Sequence, residues 1–132
     1  MVKFDPIPLL NSTDVAPIQF ELQRVFERLA EERQYHGGKK NYHSMVVAYF
    51  ADLSKIFQAL RRVCASGSEV LFIVGDSAPY GVYVPVDRWL GELALAAGFE
   101  TYDFTKLRDR NLKWKNRKHR VPLHEGILRV RG

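Results

Sequence analysis

Apolar residues recur at every third or fourth position in three parts of the chain, which predicts amphipathic helices at 17–33, 42–65 and 85–97. Prolines stand at the start of the first and third helices, and glycines follow the ends of the second and third. Residues 1–16 lack this period, and we predict an irregular lead-in there. The predicted inward side chains are Ile18, Leu22, Val25, Phe26 and Leu29 in the first helix and Val46, Tyr49, Phe50, Leu53, Ile56, Phe57, Leu60, Val63 and Cys64 in the second.

One stretch, residues 70–74, is an unbroken apolar run that ends abruptly at Gly75-Asp76-Ser77. Such a run is typical of a strand that is buried on both faces of a parallel sheet. Open α/β sheets bind ligands at the carboxyl ends of their strands, so Asp76, Ser77 and Tyr80 are candidates for a binding site. The alternative is an ordinary turn in which Asp76 and Ser77 cap the backbone.

The C-terminal third predicts two more strands, at 99–104 and 125–131, joined by a long excursion as in an antiparallel pair. The helix at 42–65 leads directly into the apolar strand, as in the second half of a β-α-β crossover, but no strand precedes it. The chain therefore resembles half of a doubly wound α/β sheet within one domain of 132 residues. The C-terminal pair can close one edge of this sheet, and the other edge lacks a neighbour.

Positive charge is concentrated in one segment, residues 105–120. The segment has eight lysines and arginines against one acidic residue, while the whole chain has a net charge of +5. The rest of the chain is therefore slightly acidic. A sharply bounded basic segment indicates a polyanionic partner more strongly than a high isoelectric point does.

Composition excludes several other classes of protein. No apolar run approaches the roughly 20 residues that a membrane span needs, and the N-terminus has neither a signal-peptide nor a transit-peptide pattern. We therefore expect a cytoplasmic protein without a membrane partner. The four histidines and the single cysteine show no metal-ligand spacing, so no metal site is expected. The pair Gly37-Gly38 beside two lysines is either a weak phosphate-binding signal or a hinge.

Several ordered segments together resemble the C-terminal half of site-specific DNA methyltransferases, the S-adenosylmethionine-dependent enzymes that methylate an exocyclic amino group of adenine or cytosine. The resemblance covers about residues 41–131. The segments that carry it are Asn41-Tyr42-His43-Ser44-Met45, Tyr49-Phe50-Ala51-Asp52-Leu53, residues 70–77, Gly81-Val82-Tyr83-Val84-Pro85 with Asp87, Ala97-Gly98-Phe99-Glu100, and residues 117–128 from Arg117-Lys118-His119-Arg120 to Ile127-Leu128.

The resemblance implies part of a Rossmann-like sheet with a C-terminal antiparallel strand pair. Residues 1–40 form a lead-in with one helix, and the stretch 70–74 corresponds to the fifth strand of the family's seven-stranded sheet. The basic excursion corresponds to the loop that lies against DNA and the extruded base. The implied context is DNA methylation, as in restriction–modification systems.

Two parts of the family pattern are missing. The catalytic tetrapeptide, an Asp, Asn or Ser followed by Pro-Pro and an aromatic residue, has no counterpart, because Asp5-Pro6-Ile7-Pro8 shares only two positions and lacks the aromatic residue. The glycine-rich loop that binds S-adenosylmethionine is also absent, since Gly75 and Gly81 are too far apart for a nucleotide fingerprint. We therefore assign no catalytic residue and expect a missing half or a partner chain to bind most of the cofactor.

Two sets of candidate residues follow from the resemblance and the charge pattern. The predicted target-base pocket consists of Asp76, Tyr80, Tyr83 and Trp114, with Trp114 as a surface on which a base can stack. The predicted DNA-binding residues are Lys106, Arg108, Arg110, Lys113, Lys115, Arg117, Lys118, His119 and Arg120. The alternative for this segment is a solvated basic loop whose tryptophan packs against the sheet.

The leading prediction is a target-recognition part of a DNA amino-methyltransferase that is inactive alone. Its expected partners are DNA and either a cofactor-binding half or another copy that pairs through the open sheet edge. The alternative is a non-catalytic nucleic-acid-binding or assembly module that shares the fold and the basic segment.

Overall fold

A computed structural model describes residues 5–110 and 121–132, which form a helical layer on one face of a three-stranded sheet. Two short 3₁₀ turns, Thr13–Ile18 and Gln34–His36, flank the second helix, and a third, Pro79–Gly81, follows the first strand. The helices are α1 (Ile7–Leu10), α2 (Gln19–Arg33), α3 (Tyr42–Val63) and α4 (Val86–Ala96), and the strands are β1 (Glu69–Gly75), β2 (Thr101–Arg110) and β3 (Leu123–Arg131).

The sheet has the strand order β1-β3-β2, and both pairings are antiparallel. The central strand β3 places Leu128 opposite Phe72 of β1 and Phe104 of β2. Because β1 and β2 both run against β3, they are parallel to each other, and α4 connects them. The predicted antiparallel C-terminal pair is confirmed, and β3 closes one edge of β1 as expected.

The prediction that β1 is buried on both faces of a parallel sheet was wrong. Its partner is the antiparallel strand β3, and among the described residues no strand occupies its other edge. Val70, Phe72 and Val74 face the helices, whereas the Leu71 and Ile73 residues are 54% and 66% exposed. An apolar run cannot distinguish a strand covered on both faces from one that is covered on a single face.

The second strand is longer than predicted, since β2 continues through Arg110 into the basic segment. A β-bulge at Leu107 shifts the register between Lys106 and Arg108, and Arg110 still pairs with Leu123. Charged side chains are common on exposed edge strands. The positive charge of residues 105–110 is therefore compatible with a β-strand. Residues 111–120 of the basic segment lie outside the described residues.

The core lies between the sheet and the helices. The predicted inward stripe of α2 is confirmed: Leu22 and Leu29 are fully buried, and Val25 and Phe26 pack against the core. Gly91 lets α4 approach the Tyr102 ring of β2 closely, because any side chain there would overlap that ring. The largest fully buried side chains are Trp89, Phe50, Phe57, Leu10, Leu22, Leu29, Leu90, Leu93 and Leu128.

No described helix is long and apolar enough to cross a membrane.

The predicted inward stripe of α3 was only partly correct. Phe50 and Phe57 are buried, but Tyr49, Ile56 and Val63 are exposed. Small residues take their place, and the buried set also includes Val47, Ala51 and Ser54. The sequence was ambiguous because α3 has apolar residues on more than one face. The buried face is the one that includes the small residues Ala51 and Ser54, which allow neighbouring segments to pack closely.

The lead-in is more regular than predicted, with the single turn α1 and the 3₁₀ turn Thr13–Ile18. The Ser54 hydroxyl of α3 donates a hydrogen bond to the Asp14 carbonyl oxygen at 2.6 Å, and the Gln58 amide donates to the Asp14 carboxylate at 2.9 Å. These bonds satisfy polar groups of a segment that has no strand or long helix of its own.

A charged contact joins α2 to α4. Both Arg88 guanidinium NH₂ groups donate to the Glu21 carboxylate, and the Trp89 indole N–H donates to the same carboxylate at 3.1 Å. The hydrogen bond from Arg88 lowers the pKa of Glu21 from 4.5 to about 2. Since the Glu21 side chain is 46% exposed, solvent screening keeps the stabilisation small.

We predict that Glu21→Gln lowers the free energy of unfolding at neutral pH by about 1 kcal/mol. The carboxylate is stabilised in the folded state, so its contribution is complete above the unfolded pKa of 4.5 and disappears as the pH falls through about 2. Urea unfolding of both proteins between pH 7 and pH 2 measures the difference. A difference that stays constant over this range would contradict the role of the ionised carboxylate.

Candidate functional site at the carboxyl end of β1

The Asp76 carboxylate follows β1 directly and is 1% exposed. One of its oxygens accepts a hydrogen bond from the His124 backbone N–H at 2.8 Å, and the other accepts one from the Tyr83 hydroxyl at 2.7 Å. The Asp76 carbonyl oxygen accepts a further bond from the Arg110 guanidinium at 2.7 Å. Asp76 therefore connects the end of β1 to β3, to β2 and to the turn before α4.

The turn itself is fixed by the backbone. Ser77 and Val84 exchange two backbone hydrogen bonds, of 3.2 and 2.7 Å, so the chain reverses direction before α4 begins.

Within this turn Tyr80 has φ = +51°, a left-handed conformation that is uncommon for a residue with a side chain. Its ring stacks on His36 at 4.1 Å between ring centroids and meets the edge of Tyr42 at 4.9 Å. Those two contacts hold Tyr80 in this strained conformation.

Two titratable side chains lie beside Asp76. Burial and the hydrogen bond to Asp76 raise the pKa of Tyr83 well above its usual value of 10, so the phenol stays a hydrogen-bond donor at neutral pH. The His124 ring lies between two carboxylates, with Nδ1 3.4 Å from Asp76 Oδ2 and Nε2 3.6 Å from Asp87 Oδ2. These groups form a polar cluster beneath the turn.

A cleft of about 440 Å³ opens between α3 and the end of β1. Its apolar walls include Tyr42, Met45 and Tyr49 of α3. Tyr49 is 42% exposed, and the partial burial of its phenol raises the pKa of that group. Backbone and polar groups of Gly75 to Ser77 form its floor, and the Arg110 side chain lies at its edge. The full lining is Tyr42, Met45, Val46, Tyr49, Phe50, Gly75, Asp76, Ser77, Pro79, Val84, Val86 and Arg110.

The structure brings the predicted pocket residues together only in part. Asp76 lines the cleft, Tyr83 binds Asp76, and Tyr80 contacts Tyr42 without lining the cleft. Trp114 lies outside the described residues. Asp5-Pro6-Ile7-Pro8, the segment closest to the family's tetrapeptide, leads into α1 and contributes no lining to this cleft.

Three of the predicted DNA-binding residues are described, and each has a partner. Lys106 pairs with Asp109 at 3.0 Å, and Arg108 pairs with Glu125 at 2.9 Å on the exposed edge strand. Arg110 instead points toward the cleft and binds the Asp76 carbonyl oxygen. The others, Lys113, Lys115, Arg117, Lys118, His119 and Arg120, lie outside the described residues.

Sequence reasoning missed the α3 side of the cleft. Tyr42, Met45 and Tyr49 are spaced three and four residues apart and therefore share one helix face. This spacing could have indicated a shared surface on the helix, but Tyr49 was predicted to be one of its inward side chains. The role of Arg110 at the cleft edge depends on how far β2 extends, which the charge pattern did not reveal.

A second cavity, of about 680 Å³, lies at the start of α3 and includes Arg33, Asn41, His43 and Ser44 in its lining. Burial, together with the nearby Arg33 charge, lowers the pKa of His43. The Gly37-Gly38 pair has two positive φ angles, +84° and +68°, and a side chain added at either glycine would meet no atom within 4 Å. The open space around both glycines fits a hinge-like turn better than a phosphate-binding loop.

The arrangement in the cleft at the end of β1 is suited to binding. Aromatic walls with an arginine at one edge fit a flat, polar ring, which can stack on the walls and accept hydrogen bonds from the guanidinium. Within residues 5–110 and 121–132 no group of three or more His, Cys, Asp or Glu side chains forms a metal site. The same residues contain no glycine-rich loop between a strand and a helix, so they do not fit the adenosine cofactor that the resemblance implies.

Comparison with protein-family models, curated proteins and solved structures gives no match to this chain.

We predict that Asp76→Ala lowers the free energy of unfolding by about 3 kcal/mol, because it removes the buried carboxylate that accepts hydrogen bonds from the His124 N–H and the Tyr83 hydroxyl. Ser77→Ala is the matched control, since Ser77 uses its backbone in the turn, and its change should stay within about 0.5 kcal/mol. Urea unfolding at pH 7 measures both. Equal effects of the two substitutions would contradict the central role of the Asp76 carboxylate.

Proposed function

We propose that this chain is the target-recognition part of a DNA amino-methyltransferase, which binds DNA and the extruded base and needs a separate cofactor-binding half. In the reaction, S-adenosylmethionine supplies the methyl group that an exocyclic base amine receives. Among the described residues we assign the cleft at the end of β1 to the base, and these residues contain no glycine-rich loop for the cofactor. We therefore expect no turnover by this chain alone.

The strand order is the observation that supports the proposal most. The strands β1 and β2 are parallel, α4 connects them, and the last strand β3 lies antiparallel between them. This agrees with a Rossmann-like sheet that ends in an antiparallel strand near one edge, as the resemblance implies. The free edge of β1 agrees with a sheet that continues into a further half.

The cleft supplies the second argument. Enzymes that act on a base in duplex DNA extrude it and stack it in a pocket, and the cleft offers Tyr42 and Tyr49 as stacking surfaces. Arg110 at its edge can donate hydrogen bonds to a carbonyl oxygen or ring nitrogen of the base. Arg110 belongs to the basic segment 105–120, so a residue of that segment lies at the edge of the cleft.

The second candidate is a nucleic-acid-binding or assembly module without catalysis. The absence of both the tetrapeptide and the glycine-rich loop from the sequence favours it. The two candidates share DNA binding and differ in whether the cleft takes an extruded base, so a test of base binding separates them.

We predict that the protein binds a duplex with one adenine opposite an abasic site more tightly than a fully paired duplex, because the unpaired base is easier to extrude. Tyr49→Ala should reduce this preference by about tenfold, as expected when about 1–3 kcal/mol of stacking is lost. Phe20→Ala is the matched control, since Phe20 is an exposed aromatic residue on α2. Fluorescence anisotropy with both duplexes measures the preference.

The outcomes separate the candidates. A preference that Tyr49→Ala removes and Phe20→Ala preserves supports a base-binding cleft. Equal affinity for both duplexes, with DNA binding otherwise intact, would contradict the methyltransferase proposal and support the binding module. Absence of binding to either duplex would contradict both.

A further inference from the structure

The Arg110 side chain reaches the cleft across a glycine. Its Nη1 donates to the Asp76 carbonyl oxygen at 2.7 Å. A methyl group added at Gly75 would lie 2.6 Å from that same nitrogen and 3.5 Å from Arg110 Cδ. Gly75 therefore leaves the space that the Arg110 side chain occupies, and the Asp76 carbonyl oxygen fixes one end of the guanidinium.

The guanidinium of Arg110 carries more donors than this carbonyl oxygen uses. A guanidinium has five N–H groups in a planar fork and no acceptor. Among the described residues only the Asp76 carbonyl oxygen accepts from it, and the Arg110 side chain also lines the cleft. A ligand in the cleft therefore meets hydrogen-bond donors at this edge. Two neighbouring acceptors on the ligand match the fork best.

The described lining of the cleft presents no ionised acceptor to a ligand. Asp76 is the only acidic residue of that lining, and it is 1% exposed. One of its carboxylate oxygens accepts from the His124 N–H and the other from the Tyr83 hydroxyl. An amino group of a ligand therefore finds no free carboxylate there, whereas a carbonyl oxygen or a ring nitrogen finds the Arg110 guanidinium.

The two bases that the proposed reaction concerns differ in their acceptors. Cytosine has two adjacent acceptors on its Watson–Crick edge, the ring nitrogen N3 and the carbonyl oxygen O2. Adenine has one acceptor beside its amino group on each edge, N1 on the Watson–Crick edge and N7 on the major-groove edge. A guanidinium fork can bind both acceptors of cytosine, whereas at adenine one of its N–H groups meets the amino donor.

We propose that the cleft is specific for cytosine and that Arg110 determines this specificity by donating to N3 and O2 of the extruded base. The inference rests on the proposed function, because it names the base for the same cleft. Tyr42 and Tyr49 supply stacking, which every base can use, and Arg110 adds the contact that distinguishes the bases. Gly75 is a positioning residue, since it acts through Arg110.

Fluorescence anisotropy with four duplexes tests the specificity. Three duplexes carry cytosine, thymine or adenine opposite an abasic site, and the fourth is fully paired. Thymine is the size-matched comparison, because an N–H separates its two carbonyl oxygens. We expect unpaired cytosine to be bound about tenfold more tightly than unpaired thymine or adenine, while unpaired adenine is still bound more tightly than the paired duplex.

Two variants should remove most of the cytosine preference without a change in charge. Arg110→Lys loses the planar fork, and Gly75→Ala displaces the guanidinium with its added methyl group. Arg131→Lys is the matched control and should leave the preference unchanged, because Arg131 pairs with Glu69 at the opposite end of the sheet. Urea unfolding checks that each variant is folded, and either of the first two is sufficient for the test.

The outcomes separate this inference from the proposed function. Equal affinity for unpaired cytosine and thymine would overturn the specificity. So would a cytosine preference that Arg110→Lys and Gly75→Ala leave unchanged, or one that Arg131→Lys reduces equally. In each of these cases the proposed function stands if unpaired adenine is still preferred to the paired duplex and Tyr49→Ala removes that preference. Equal affinity for all four duplexes, or no DNA binding, would overturn both.

Discussion

The buried carboxylate of Asp76 is the interaction on which the rest of the structure depends. Its oxygens hold the first residues of β3 and the turn before α4, and its carbonyl oxygen holds Arg110 at the end of β2. A buried carboxylate is costly unless it is hydrogen-bonded, and here two neutral donors satisfy it. The three strands are therefore fixed relative to one another at the end where the cleft opens.

This arrangement accounts for the position of the cleft. Because Asp76 is bonded within the fold, it shapes the floor of the cleft, while the surfaces available to a ligand come from α3 and from Arg110. The strained backbone of Tyr80 and its contacts with His36 and Tyr42 fix the neighbouring turn. A preformed cleft of this kind binds a flat ring with little loss of conformational entropy.

The sequence predicted the helices, the apolar strand and the antiparallel C-terminal pair, because periodicity and glycine or proline boundaries report local structure directly. It did not predict that one face of β1 is open, since Leu71 and Ile73 are as apolar as the buried Phe72. Nor did it predict which side of α3 is buried, because that choice depends on the fit of Ala51 and Ser54 against neighbouring segments. The position of Asp76 directly after the strand was enough to predict it as a candidate. Tyr42 and Arg110 could not be predicted, because their places in the cleft depend on the packing of α3 and on the length of β2.

The free edge of β1 and the cleft both involve the carboxyl end of that strand. A strand edge that no described strand occupies invites pairing with another chain, which is the physical reason to expect a partner there. The described residues contain no glycine-rich cofactor loop, and the cleft with Arg110 at its edge is the surface that we propose for the target base. We therefore propose that target binding and cofactor binding are divided between this chain and another.

Titration calorimetry with S-adenosylmethionine, followed by a short DNA duplex at several salt concentrations, tests this division most directly. We predict no heat with the cofactor, and DNA binding whose affinity falls steeply with rising salt. Micromolar binding of the cofactor by the isolated chain would contradict the division, because it requires a cofactor site within this chain. DNA binding that does not change with salt, or no DNA binding, would contradict the target-binding role.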